Sequence, residues 1–170
     1  MKYLLVSSMY LWVCLFGVSC VSAQEKNGFQ TTIILVRHAE KDTTGGNNPP
    51  LSIAGNARAQ RLAASFPNVV PDEFYATPFV RTISTLKPWA ESLGKEVKAY
   101  AAADSIKLTE MLLKQQGKTI IVTGHSNTIP SLVNRLIGSR KYNPLPDSAY
   151  SNIYVVSIEN GKATDKLLHY

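Results

Sequence analysis

Three places in this 170-residue chain set basic nitrogens at the end of an apolar segment or the start of a helix. Arg37-His38 leaves the run Thr32-Ile33-Ile34-Leu35-Val36. His125, in Gly124-His125-Ser126-Asn127, leaves the run Thr119-Ile120-Ile121-Val122-Thr123. Arg81 falls in the first turn of a helix expected after Thr77-Pro78. An arginine and a histidine side by side at the exit of a buried strand are costly without a partner, and a tetrahedral oxyanion satisfies both. Neutral imidazole is a competent nucleophile near neutral pH, because its reference pKa is about 6.5. Guanidinium forks match phosphate oxygens in pairs. These are the parts of phosphoryl transfer. His38 is the candidate nucleophile, Arg37 and Arg81 form the cradle, and His125 donates to a phosphoryl oxygen as charge develops.

Each residue also has a plainer reading. A lone histidine is more often a hydrogen-bonded core residue, and a lone arginine a solvated one. Arg81 shifts the balance, because the positive end of a helix dipole repels it unless an anion lies between. Gly124 permits a close backbone approach to a ligand. A zinc site competes for paired histidines, but it wants three protein ligands and no adjacent arginines. The expectation is therefore a phosphate site with no metal and no cofactor.

These side chains need strands that end together. Apolar runs alternate with amphipathic segments, which points to α/β architecture: a three-layer α/β/α sandwich with a mostly parallel sheet. Strands are expected at 31–36, 73–76, 96–100, 118–123 and 153–158, and helices at 52–66, after 77, at 105–116 and at 127–137. Ser52 is a good N-cap, as is Thr77 with proline following it. Pro88 should kink or split its helix, and Gly138 should stop the helix before it. Asn160-Gly161 marks a two-residue turn into a last strand at 163–170, giving a C-terminal hairpin. In a parallel sheet, ligands bind at the carboxyl ends of strands, where both histidines fall.

Residues 1–23 read as a secretory signal peptide, with an apolar stretch from Leu4 to Phe16 and the small-residue cleavage site Val21-Ser22-Ala23. The domain is then 24–170, secreted or periplasmic. A membrane anchor is the lesser reading, since the apolar stretch is short for a span. Lipidation at Cys20 is another alternative. Both cysteines, Cys14 and Cys20, precede the cleavage site, so neither a disulfide framework nor a thiol nucleophile is expected in the domain. The formal charge of +6 is scattered, with no run longer than Arg140-Lys141. That favours anionic substrates over nucleic acid, which calls for a clustered basic patch. The expected partner is a small phosphorylated substrate or a phosphoprotein. The last strand is a potential pairing edge, but the sequence sets no oligomeric state.

Four motifs in order resemble the histidine phosphatase superfamily, the phosphoglycerate-mutase-like fold. They are Leu35-Val36-Arg37-His38-Ala39-Glu40-Lys41, Pro50-Leu51-Ser52-Ile53-Ala54-Gly55-Asn56-Ala57-Arg58-Ala59, Thr77-Pro78-Phe79-Val80-Arg81-Thr82 and Gly124-His125-Ser126-Asn127. The resemblance implies a phosphohistidine on His38, with Arg37, Arg81 and His125 holding the phosphoryl group. Thr77 occupies the place of a small hydroxyl residue in the family, although a helix cap is the favoured role. The chain departs from the pattern at Ala39, where glycine is common, and at Thr43-Thr44, where many members carry asparagine. It also lacks a glutamate in the family's acid position. Asp104, after the third strand, is the candidate general acid, about evenly matched against a helix-dipole role. Glu110 and Glu40 are weaker candidates, the first solvated and the second a loop orienter or a partner of Lys41. The expected activity is metal-independent hydrolysis of phosphomonoesters. Alternatives are a phosphoglycerate-mutase-type phosphotransferase and a phosphate-binding protein without turnover.

Overall fold

In chain order the elements are β1 (Thr31–Arg37), α1 (Ile53–Ala64), β2 (Glu73–Ala76), α2 (Val80–Ser92), β3 (Val97–Ala99), a 3₁₀ turn (Ala102–Asp104), α3 (Ser105–Leu113), β4 (Thr119–Gly124), α4 (Thr128–Ile137), β5 (Asn152–Glu159) and β6 (Lys162–His169). They come from a computed structural model that describes residues 29–44 and 46–170. The expected leader and both cysteines lie outside the described residues.

The β-branched runs become the centre of one sheet, ordered β3-β2-β4-β1-β5-β6. The first four strands are mutually parallel, and β5 and β6 run antiparallel as a hairpin. That hairpin turns at Asn160-Gly161, where both residues take positive φ, 50° and 76°. A two-residue turn that follows the sheet's twist requires this.

Strand periodicity divides the core. Ile33, Leu35, Ile120 and Val122 face Leu108, Leu112, Ile129, Leu132, Val133 and Leu136 of α3 and α4. Ile34, Val36 and Ile121 face Leu62, Leu86, Trp89 and Ala90 of α1 and α2. The result is the expected α/β/α sandwich. Each leucine, isoleucine or valine among them contributes about 1.5–3 kcal/mol when fully buried. The two central strands are thus anchored from both faces, and so are the loops at their ends.

Helix boundaries show where local signals yield. Ser52 caps α1 as expected, its Oγ accepting the Gly55 N–H at 3.1 Å. Gly138 stops α4 at a φ of 67°. α2 instead begins at Val80, past Thr77-Pro78, and the Val80 N–H is satisfied by Asn48 Oδ1 from the preceding loop at 3.0 Å. Pro88 does not split α2, which runs unbroken to Ser92. Burial of Leu86, Trp89 and Ala90 against the sheet outweighs the roughly 3 kcal/mol that an interior proline costs.

Consecutive turns then place the site. β1 leads into α1 on one face, while its neighbour β4 leads into α4 on the other. Adjacent parallel strands whose connections leave to opposite faces open a crevice at their carboxyl ends. Arg37 lies opposite Gly124, and the His38 N–H extends the ladder by donating to the Gly124 carbonyl at 2.9 Å. Among the described residues, no helix is long and apolar enough to cross a membrane.

Candidate active site

The crevice holds a cavity of about 290 Å³, lined by Arg37, His38, Lys41, Arg81, His125, Ser126, Asp147 and Tyr150. His38 and His125 meet edge to face, ring centroids 5.5 Å apart. The two histidines and two arginines expected from the sequence are therefore in one place.

Hydrogen bonds assign the tautomers. His38 Nδ1 lies 2.7 Å from the Ala39 carbonyl. A carbonyl only accepts, so Nδ1 carries the proton and Nε2 keeps its lone pair. Ala39 also fixes this turn through its N–H, which donates to Thr85 Oγ1 at 2.9 Å. His125 Nε2 lies 3.0 Å from Thr77 Oγ1, and Arg81 Nη2 approaches His125 Nδ1 at 3.5 Å. Guanidinium only donates, so Nδ1 is the acceptor and Nε2–H donates to Thr77. Burial, with the nearby guanidinium charges, pushes both imidazoles down to about 4. Both are neutral at neutral pH.

The arginines are held from behind. Arg37 Nη1 donates to the carbonyls of Pro146, Asp147 and Ala149 at 3.0, 3.0 and 3.2 Å. Its guanidinium lies 4.2 Å from the Tyr150 ring centroid, and Nη2 is 3.7 Å from Asp147 Oδ1. Arg81 leaves the first turn of α2 over the Phe79 ring at 4.5 Å. Arg37 Nε, Arg81 Nε and Arg81 Nη1 are buried with no hydrogen-bond partner among the described residues. A buried donor left unmatched costs about 1–3 kcal/mol, and an oxyanion in the cavity would accept from all three.

Residues 33–107 match the histidine phosphatase superfamily, branch 1. The matched segment carries Arg37, His38 and Arg81, and the fold brings His125 to them from beyond it. Solved structures of the histidine phosphatase fold superpose on this one. The protein histidine phosphatase SixA complexed with tungstate does so at TM-score 0.66 and 17% identity, over 81% of this chain and 96% of that one. Phosphoserine phosphatase from Entamoeba histolytica, in complex with 3-phosphoglyceric acid, gives 0.63 and 17%, over 82% and 97%. A mycobacterial glucosyl-3-phosphoglycerate phosphatase gives 0.64 and 13%, over 83% and 98%. At these identities the likeness is one of fold. No curated protein matches the chain by sequence.

Several expectations change. Asp104 is not among the residues lining the cavity that holds the two histidines. It closes the 3₁₀ turn, half exposed, and pairs with Lys107 at 3.3 Å. Glu110 is exposed, as expected. Glu40 pairs with Arg58 rather than Lys41. Arg58 Nε reaches both carboxylate oxygens at 2.9 Å and Nη2 reaches Oε1 at 2.7 Å, which holds the carboxyl below its ordinary range. Gly55 belongs to the same corner, since a Cβ there would stand 2.1 Å from the Glu40 carbonyl oxygen. Thr44 bonds Asp42 in an exposed turn. Thr77 caps no helix; its hydroxyl receives His125. Gly124 is explained by packing, because a Cβ there would meet Thr128 Oγ1 at 2.8 Å, the atom that accepts the His125 N–H.

Lys41, Ser126, Asp147 and Tyr150 were absent from the expected site. Lys41 and Ser126 each adjoin a motif already singled out. Asp147 and Tyr150 lie on the irregular loop 141–150, which the sequence marks as a pocket wall together with the loop at 47–50, but no local pattern says which of its side chains enter. A larger cavity of about 580 Å³ opens beside Asn127, between α4 and loop 138–144, and contains neither histidine.

Proposed function

We propose that this protein is a phosphatase that hydrolyses phosphomonoesters through a phosphohistidine on His38. One observation carries the reading: the Ala39 carbonyl holds the proton on His38 Nδ1, so Nε2 keeps its lone pair in a cavity flanked by two guanidinium groups. Neutral imidazole at this depth needs no base to activate it. In the first step His38 Nε2 attacks phosphorus as the ester oxygen leaves. In the second, water attacks phosphorus, the P–N bond breaks, and inorganic phosphate is released. Arg37 and Arg81 face the oxygens on which charge accumulates, and electrostatic stabilisation of this kind is usually the largest catalytic term. Their charges, with Lys41, supply what a metal supplies in other phosphoryl-transfer sites, so turnover is expected to be metal-independent.

The test is a rapid-quench experiment on purified protein with a phosphorus-labelled aryl phosphate, quenched in alkali because phosphohistidine is acid-labile. Label should attach to wild type and be absent from His38→Ala. Label without turnover would identify a phosphate carrier, and label passed to a second phosphorylated acceptor would identify a phosphotransferase of the mutase type. Activity that disappears with chelator would remove metal independence. A secreted or periplasmic location after loss of 1–23 is part of the same proposal, since an exported hydrolase acts on substrates outside the cytoplasm. Amino-terminal sequencing of the exported protein should begin at Gln24, and a retained Cys20 would instead favour lipid attachment.

A further inference from the structure

Ester hydrolysis at this site needs a proton for the leaving oxygen, and Asp104 is outside the cavity. We propose that Asp147 supplies that proton, an inference that rests on the phosphatase reading above. Asp147 is the one carboxylate among the described residues lining the catalytic cavity.

Its placement fits the reaction coordinate. His38 is 4% exposed and forms the floor, whereas the Asp147 side chain is fully exposed at the solvent end. Nucleophile and leaving group lie roughly in line through phosphorus. Attack from the floor therefore sends the leaving oxygen toward the mouth, where Asp147 stands. Its Oδ1 is 3.7 Å from Nη2 of Arg37, the cation that faces the phosphoryl oxygens.

The loop is fastened by its backbone while the carboxylate stays open to solvent. Arg37 holds the carbonyls of Pro146, Asp147 and Ala149, and the Leu145 N–H donates to the Ser126 carbonyl at 2.8 Å. No other lining residue fits both half-reactions. Arginine carries no proton acceptor, an ammonium such as that of lysine has no lone pair with which to accept a proton from water, and serine and tyrosine hydroxyls are far weaker acids than a carboxyl.

The protons balance. Asp147 takes a proton from solvent and passes it to the ester oxygen as the P–O bond breaks and the bond from His38 Nε2 to phosphorus forms. The resulting carboxylate accepts a proton from water as water's oxygen bonds phosphorus and the P–N bond breaks. Phosphate leaves and Asp147 is protonated for the next cycle.

The experiment compares an aryl phosphate with a good leaving group, 4-nitrophenyl phosphate, and a simple alkyl phosphate in Asp147→Asn. It reads kcat/KM, which contains no step after the leaving group departs. The alkyl ester should lose about 10²-fold or more, the range of general acid catalysis. The aryl ester should lose less than about threefold, since its anion needs little protonation. Asp147→Glu should recover part of the alkyl activity. Equal losses on both esters would overturn the proposal by reducing Asp147 to an orienter of Arg37, as would unchanged rates on both. A selective alkyl loss in Asp104→Asn with none in Asp147→Asn would overturn it in favour of the other carboxylate. Wild type that cleaves neither ester would overturn the phosphatase reading itself, a failure visible before any variant is made.

Discussion

The ends of β1 and β4 are near twins in position and opposites in how they hold a ring. Arg37 lies opposite Gly124, a histidine follows each, and burial lowers both imidazoles to about 4. His38 is held by its neighbour's backbone carbonyl, which can only accept and cannot be mutated away. His125 is held by the Thr77 side chain and faces Arg81 across a long 3.5 Å contact. A nucleophile must present one tautomer on every cycle, and a fixed carbonyl provides that. A group that stabilises developing charge must change partners when the anion arrives. With Nε2–H on Thr77, His125 can donate to a phosphoryl oxygen from Nδ1 only after gaining a proton there. A dianion in the cavity favours that gain, because opposite charge raises an imidazole pKa.

The largest expected effect tests that division of roles. His38→Ala should lower turnover by about 10⁶-fold, the loss seen when a covalent nucleophile is removed, and should leave no labelled enzyme. His125→Ala should lose about 10²–10³-fold, as for one charge-stabilising donor, while still forming labelled enzyme. Similar losses, or label absent from both, would make the two strand ends equivalent. Binding of inorganic phosphate sharpens the same contrast. Near pH 6.5, calorimetry in buffers of different ionisation heat should report proton uptake in wild type and much less in His125→Ala. Equal uptake in the two proteins would contradict a partner change at His125.

The central strands, the three-layer sandwich and the hairpin at Asn160-Gly161 were legible because apolar periodicity and turn chemistry are local signals. The His38, His125, Arg37 and Arg81 quartet was legible because charged residues at the ends of apolar runs are unusual on their own. Thr77 was misread because Thr-Pro is a strong local cap signal, whereas its partner His125 lies 48 residues away. Asn48 provides α2's terminal hydrogen bond from a loop with no periodicity, and no local pattern announces it. The 141–150 loop was legible as a pocket wall, but the entry of Asp147 and Tyr150 was not, for the same reason: the 139–151 segment has neither helix nor strand, and its shape is set by what Arg37 and Ser126 bind. Glu40 and Arg58 sit in two recognised motifs, yet their pairing appears only once α1 is packed beside the β1 exit.

A smaller effect concerns stability. Unfolded imidazole gains its proton near 6.5 and the buried rings near 4. Between these values the unfolded state binds more protons, so stability is complete above 6.5 and falls as pH drops toward 4. The melting temperature should decline through that window, and His38→Asn should flatten the decline. The Glu73 carboxyl, held near 2 by Lys118, Tyr75 and Lys98, adds its loss only below about 4.5, so the phases separate. A flat melting temperature from pH 6.5 to 5 would place the imidazoles in a wetter setting than the cavity provides.

The mildest change touches only the bond that distinguishes His125 from His38. Thr77→Val conserves shape and removes the hydroxyl between His125 Nε2 and Thr82 Oγ1. A neutral hydrogen bond contributes about 0.5–1.5 kcal/mol, which corresponds to roughly a two- to tenfold loss in kcat. KM should move little, because Arg37 and Arg81 keep their contacts with the substrate. Thr77→Ser should restore the rate, since it returns the oxygen without the methyl group. A loss as large as that of His125→Ala would mean that the ring contributes only when the hydroxyl steers it, making Thr77 and His125 a single unit. No loss at all would mean that Arg81 and the ring's packing against Phe79, centroids 5.1 Å apart, suffice to hold it, and the contrast between the two strand ends would then rest on Ala39 alone.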